Sequence, residues 1–161
     1  MRIELQPAYI LHTRPYRDTS LLVDFFTPEY GRIGAVARGV RQGKGNKRVL
    51  FNPFLGLLIS LQGKTDLKLL TAIEAAGPAC HLTGAQLYSG FYLNELLVRL
   101  LPEMDAHPQL YYRYQESLQE TVTPDAQPKQ PRYLSIGLVS LVLGIIGVVV
   151  VAQTQIDQQL Y

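Results

Sequence analysis

The 161-residue chain has one cysteine, no tryptophan, three histidines and a net charge of only +2. A lone Cys80 excludes an intramolecular disulfide framework and fits a reducing compartment, where it reads as a small buried hydrophobe. Cys80 and His81 are adjacent while His12 and His107 are remote, so no pair has zinc-ligand spacing and no metal is expected. The N-terminal run MRIELQPAYILHTRPYRD lacks the apolar core and small-residue cleavage site of an export signal. A cytoplasmic protein is expected.

Catalytic patterns are also missing. GVRQGKG, residues 39–45, has the glycines and lysine of a phosphate loop, but Gly39 and Gly43 enclose three residues instead of four, and Gly45 stands where a magnesium-binding hydroxyl would be needed. Glu103 and Asp105 follow a helix end and read as solvated carboxylates, and no Ser, His and acid fall into a nucleophile motif. No catalytic residue and no cofactor is expected.

What the chain does have is an uneven distribution of charge. Residues 1–80 carry eleven Lys and Arg against six Asp and Glu, whereas residues 81–161 carry four against seven. The basic excess centres on GRIGAVARGVRQGKGNKR, residues 31–48, with six positive charges, no negative ones and five glycines. Phosphates repeat along a nucleic-acid strand, so a row of Arg and Lys can neutralise several at once and release counterions. Arg32 and Arg38 fall on one face of a period-two strand, and Arg41, Lys44, Lys47 and Arg48 follow in the loop. Arg14 and Arg17, in the turn between the first two strands, extend the track. Tyr16, Phe26 and Tyr30 are candidate base-stacking platforms, each beside a basic residue or at a strand end; burial in a core competes with that role.

Short apolar stretches at residues 8–13, bounded by Pro7 and Pro15, and at 19–27, 31–39, 54–63 and 67–75, separated by turn residues, read as five strands of about five to ten residues. Five short strands in so few residues suggest a small closed barrel, since closure removes unpaired edges. From residue 85 to 101 the pattern becomes helical, with Leu87, Phe91, Leu97 and Leu101 near one face, joined by Tyr88, Leu96 and Leu100, and Pro102 closes it. A second helix is expected from about Pro108 to Gln119. ETVTPDAQPKQPR, residues 120–132, reads as a linker. The uncharged run at residues 133–156 has an apolar centre of about 28 Å if helical, close to a bilayer's hydrocarbon thickness. It is a candidate transmembrane helix, with residues 1–132 kept cytoplasmic by Lys129 and Arg132.

YILHTRPYRDTSLLVDFFTPEYGRIGAVARGVR, residues 9–41, resembles the start of the bacterial recombination mediator RecO family. EAAGPA, residues 74–79, and YLNELLVRLLPEMDAHPQLYYRY, residues 92–114, resemble that family's barrel exit and first helices. The resemblance covers roughly residues 1–119. It implies an α+β architecture: a five-stranded OB-fold β-barrel over residues 1–80, then a truncated helical segment over 81–119. It also implies a non-catalytic protein that binds single- and double-stranded DNA and anneals complementary strands. RecR and single-stranded-DNA-binding protein are the implied partners in loading RecA. Family members continue with further helices where this chain turns to proline and apolar residues, which leaves the single-stranded-DNA-binding protein's docking site and the zinc site of some members without matching residues. The rival reading is a membrane-anchored adaptor that binds a protein partner while the basic loop rests on anionic lipid.

Overall fold

Alternating apolar positions broken by turn residues produce five strands in the computed structural model, which describes residues 1–42 and 46–120. They are β1 (Arg2–Tyr16), β2 (Ser20–Thr27), β3 (Gly31–Ala37), β4 (Leu55–Gln62) and β5 (Lys68–Ala79), followed by α1 (Gly84–Leu100) and α2 (Pro108–Glu120). A short 3-10 turn, Asn46–Phe51, lies between β3 and β4. The strands pair in the order β1-β2-β3-β5-β4, with β4 returning to β1.

β1 organises the sheet. Its first half pairs with β4, from Arg2↔Gln62 to Ala8↔Leu57, and its second half pairs with β2, from Tyr9↔Phe26 to Tyr16↔Ser20. Each half therefore has a ladder on one side, which explains how Pro7 and Pro15 sit inside a strand: a residue without an N–H is tolerated where one edge is free. Irregularities between Ile3 and Gln6 and between Ile10 and His12 bend the strand from one partner to the other.

The fold expectation needs three corrections. β1 and β5, at fifteen and twelve residues, exceed the expected length, because the prolines that read as boundaries lie within β1. The expected small closed barrel is corrected to a mixed five-stranded sheet with one thin seam: β2 and β3 pair antiparallel over seven residues, whereas the parallel seam between β3 and β5 holds only Ala35↔Lys68 and Val36↔Leu69. Finally, no helix among the described residues is long and apolar enough to cross a membrane, and the segment 133–156 read as such a helix lies outside them.

Two cores follow from the alternation. Inside the ring of strands lie Ile10, Val23, Phe25, Ile33, Ala35, Leu57, Ile59 and their neighbours, with Phe51 of the 3-10 turn among them. On the outer side Tyr9, Leu11, Phe26 and Phe54 meet Leu82, Leu93, Leu97 and Leu101 and the α2 residues Leu110, Tyr111, Tyr114 and Leu118. β1 and β2 are thus buried on both faces where the helices cover them, hence the unbroken runs YIL and FF. Each large side chain so buried contributes about 1.5–3 kcal/mol.

The buried face of α1 is the expected one in part: Leu97 and Leu101 are buried and Leu87 packs against them, but the face is rotated away from Tyr88 and Phe91. Gly90, Leu93, Asn94 and Leu97 face inward, while Tyr88, Phe91 and Tyr92 are 77%, 48% and 56% exposed. Gly90 allows the close approach: a Cβ there would lie 2.8 Å from the Phe54 ring and 2.9 Å from Leu82. Asn94 completes the contact. Its amide donates to the carbonyls of Ile10 (3.4 Å) and Leu11 (3.2 Å), where the irregularity in β1 interrupts the ladder, and its Oδ1 accepts from the Tyr114 hydroxyl at 2.7 Å.

Candidate nucleic-acid interface

Strand register decides which basic residues reach solvent. Arg14 lies opposite Leu22, and Leu22 opposite Val36, so these three share the outer face of the sheet. Two residues along, Tyr16 and Ser20 continue that face, and Arg38 follows the last pair, Leu21↔Ala37. Arg14 and Arg38 are exposed; Tyr16, Leu22 and Val36 are half-buried. The helices cover the opposite end of this face, over Tyr9 and Phe26, and leave this end open.

The β1–β2 turn and the segment after β3 are joined at the open end. Arg17 takes a left-handed conformation, with φ +51°, and its guanidinium lies 5.1 Å from the centre of the Tyr16 ring. The Arg41 amide donates to the Thr19 carbonyl at 3.0 Å, and its guanidinium donates to the Arg17 carbonyl at 3.1 Å. Arg14, Arg17, Arg38 and Arg41 therefore form one exposed rim around Tyr16, without a carboxylate partner in any ion pair among the described residues. Such a rim offers phosphates several uncompensated guanidinium groups. Arg48 is exposed on the 3-10 turn. Lys44 and the side chain of Lys47 lie outside the described residues.

Arg32 does not belong to the rim, and its expected role is corrected. Its side chain is 16% exposed and shares one guanidinium nitrogen between Asp24 Oδ1 and Glu103 Oε1, each at 3.2 Å. Its Nε donates to the Leu101 carbonyl at 3.0 Å, and its own carbonyl accepts from the Met104 amide at 2.9 Å. The neighbouring Gly31 explains the intimacy: with φ +64°, it leaves room for the α1–α2 connection, since a Cβ there would lie 1.7 Å from the Asp105 carbonyl oxygen. Arg32 fastens the helices to the sheet, its charge spent on two carboxylates.

Two stacking candidates are corrected as well. Phe26 has no exposed surface and packs edge-on against Tyr111 and Tyr114, at 5.5 and 6.0 Å between ring centres. Tyr30 is half-buried against the inner core, its amide held by the Thr27 hydroxyl at 3.2 Å. Tyr16 alone of the three stands beside the rim. Leu22 went unread as part of this surface, although strict alternation with the buried Val23 signals its outward direction.

Burial holds the phenols of Tyr9, Tyr111 and Tyr114 above the usual tyrosine range. Among the described residues, no group of three or more His, Cys, Asp or Glu side chains could hold a metal ion.

Comparison with known proteins agrees along most of the chain. The family model described as recombination protein O N terminal matches residues 1–79, and that described as recombination protein O C terminal matches residues 81–142. The DNA repair protein RecO of Cellvibrio japonicus is 64% identical over 118 residues, covering 73% of this chain and 50% of the relative. That of Nitrosococcus oceani is 52% identical over 130 residues, covering 81% and 52%. That of Stutzerimonas stutzeri is 51% identical over 113 residues, covering 70% and 46%. The chain spans about half the length of these relatives.

Proposed function

Because the chain belongs to the recombination protein O family, we propose that it is a non-catalytic DNA-binding protein of DNA repair and homologous recombination. The observation that carries this reading is the uncompensated rim of Arg14, Arg17, Arg38 and Arg41 around Tyr16. Phosphates of single- or double-stranded DNA lie along the rim, with Arg48, Lys44 and Lys47 adding charge from the following loop. Tyr16, whose ring Arg17 already covers, lends a stacking surface to an unpaired base. Contacts to phosphate carry no sequence information, so the binding is indifferent to sequence. A surface that binds two complementary strands in this way lowers the repulsion between them and assists their annealing. RecR is the proposed protein partner, and the cytoplasm the proposed location.

The test is fluorescence anisotropy of a labelled single-stranded oligonucleotide titrated with the full chain at several salt concentrations. Affinity that falls steeply with salt supports the reading, and affinity indifferent to salt overturns it. Annealing of complementary labelled strands, followed by energy transfer, should accelerate in the same salt range.

A further inference from the structure

One row of cross-strand partners crosses the whole sheet on the face that carries the arginine rim. Arg14 lies opposite Leu22, Leu22 opposite Val36, Val36 opposite Leu69, and Leu69 opposite Gln62. Paired residues share a face, so Leu22, Val36 and Leu69 form an apolar row that points outward, each side chain half-buried. Leu67 widens the row. It is 39% exposed and lies over Gly34, its Cδ1 3.7 Å from where a Cβ of that glycine would stand.

The two borders of this strip differ in charge. Arg14 ends the row and Arg38 lies two residues beyond Val36, both exposed and outside the ion pairs of the described residues. Two residues from the row in the other direction, Asp24 stands between His12 and Gly34 in the ladder. There Asp24 and Glu103 carry two negative charges against the single positive charge of Arg32.

Resting on the DNA-binding reading above, we propose that the strip holds the bases of one unpaired strand, and so sorts single-stranded DNA from duplex at this site. Guanidinium groups, apolar surface and carboxylate follow one another in the order of phosphate, base plane and base edge. A strand with its phosphates at Arg14 and Arg38 lays its bases on Leu22, Val36, Leu67 and Leu69 and turns their edges toward Asp24, which accepts hydrogen bonds from base amino groups and repels phosphate. Every base has an apolar plane, so this contact keeps the binding tolerant of sequence. A duplex keeps its base planes stacked inside and carries phosphate along both strands. It meets the arginines, leaves the strip empty and brings its second strand toward the carboxylates.

Val36 provides the test, because it points away from the inner core that its neighbour Ala35 joins. Val36→Thr keeps the branched shape and the preference for a strand while making the strip polar, and Val36→Tyr adds an aromatic plane. Fluorescence anisotropy on the full chain, at one salt concentration, compares an oligothymidine strand, an abasic strand of equal length and charge, and a duplex. The original chain should prefer oligothymidine to the abasic strand by about fivefold or more. Threonine should lower that preference and tyrosine should raise it by about fivefold, with the abasic and duplex affinities unchanged in both variants. Equal affinity for the thymidine and abasic strands overturns the strip, while salt-steep binding of both leaves the phosphate rim standing. A preference that neither substitution moves, or shifts common to all three probes, also overturns it, since Val36 then lies off the bases or acts through the fold. Binding of every probe that ignores salt overturns both the strip and the rim.

Discussion

Replacing Asn94 by leucine is expected to loosen the helices from the sheet. Asn94 is 2% exposed, and its amide serves three partners: the Ile10 and Leu11 carbonyls and the Tyr114 hydroxyl. Leucine keeps the branched shape and the number of side-chain heavy atoms but is bulkier and has no polar atom, so those partners lose a hydrogen bond at a buried site and the packing there tightens. An unsatisfied buried polar group costs about 1–3 kcal/mol. The carbonyls retain a second lone pair, so the lower figure suits them, and the total comes to about 3–4 kcal/mol. That is a large share of the roughly 5–15 kcal/mol that holds a domain of this size together. Tyr114→Phe removes only the hydroxyl and should cost about 1–2 kcal/mol. In the double variant, the loss of the phenol no longer strands a partner, so the two effects should fall short of their sum by about 1 kcal/mol. Urea unfolding followed by far-UV circular dichroism measures all four states, the absence of tryptophan making fluorescence a poor probe. An Asn94→Leu protein as stable as the original, or strict additivity in the cycle, would refute the account of this contact.

Gly31→Ala should destabilise by about 2 kcal/mol or more, because the new methyl both strains a left-handed residue and displaces the Asp105 carbonyl; thermal unfolding reads the loss. High pH attacks the same interface. Burial raises the folded pKa of Tyr9, Tyr111 and Tyr114 above the ordinary tyrosine value, so above about pH 10 the unfolded chain releases protons that the folded chain keeps. Stability present below that pH is therefore lost as it rises, by about 1.4 kcal/mol per pH unit for each tyrosine, and unfolding midpoints flat from pH 9 to 11 would contradict the burial of all three.

The strands and helices were legible where pattern and burial coincide. Alternation located the strands, and Pro102 marked the end of α1 to within two residues. The misreadings have physical causes. Pro7 and Pro15 read as boundaries because nothing local reveals that β1 has one neighbour at a time. Asn94 and Gly90 stand outside the apolar pattern that located the helix face, yet a polar side chain and a missing one are what the α1 contact with the sheet requires. Phe91 and Tyr88 read as core and remain exposed for the same reason. Arg32 was assigned by period-two spacing to the same face as Arg38, which is correct. What spacing could not supply is that the far end of that face lies beneath Leu101 and Glu103, nearly seventy residues along. Charge clustering found the basic rim, and the fold decided which members compose it.

The division between a binding rim and a structural arginine is most directly tested by the slope of log affinity against log salt for duplex DNA. Arg14→Ala combined with Arg38→Ala removes two phosphate contacts and should flatten the slope by about two units. Arg32→Gln should lower stability and leave the slope of the folded protein unchanged. A flattened slope for Arg32→Gln with none for the rim variant would place the DNA elsewhere and contradict the account.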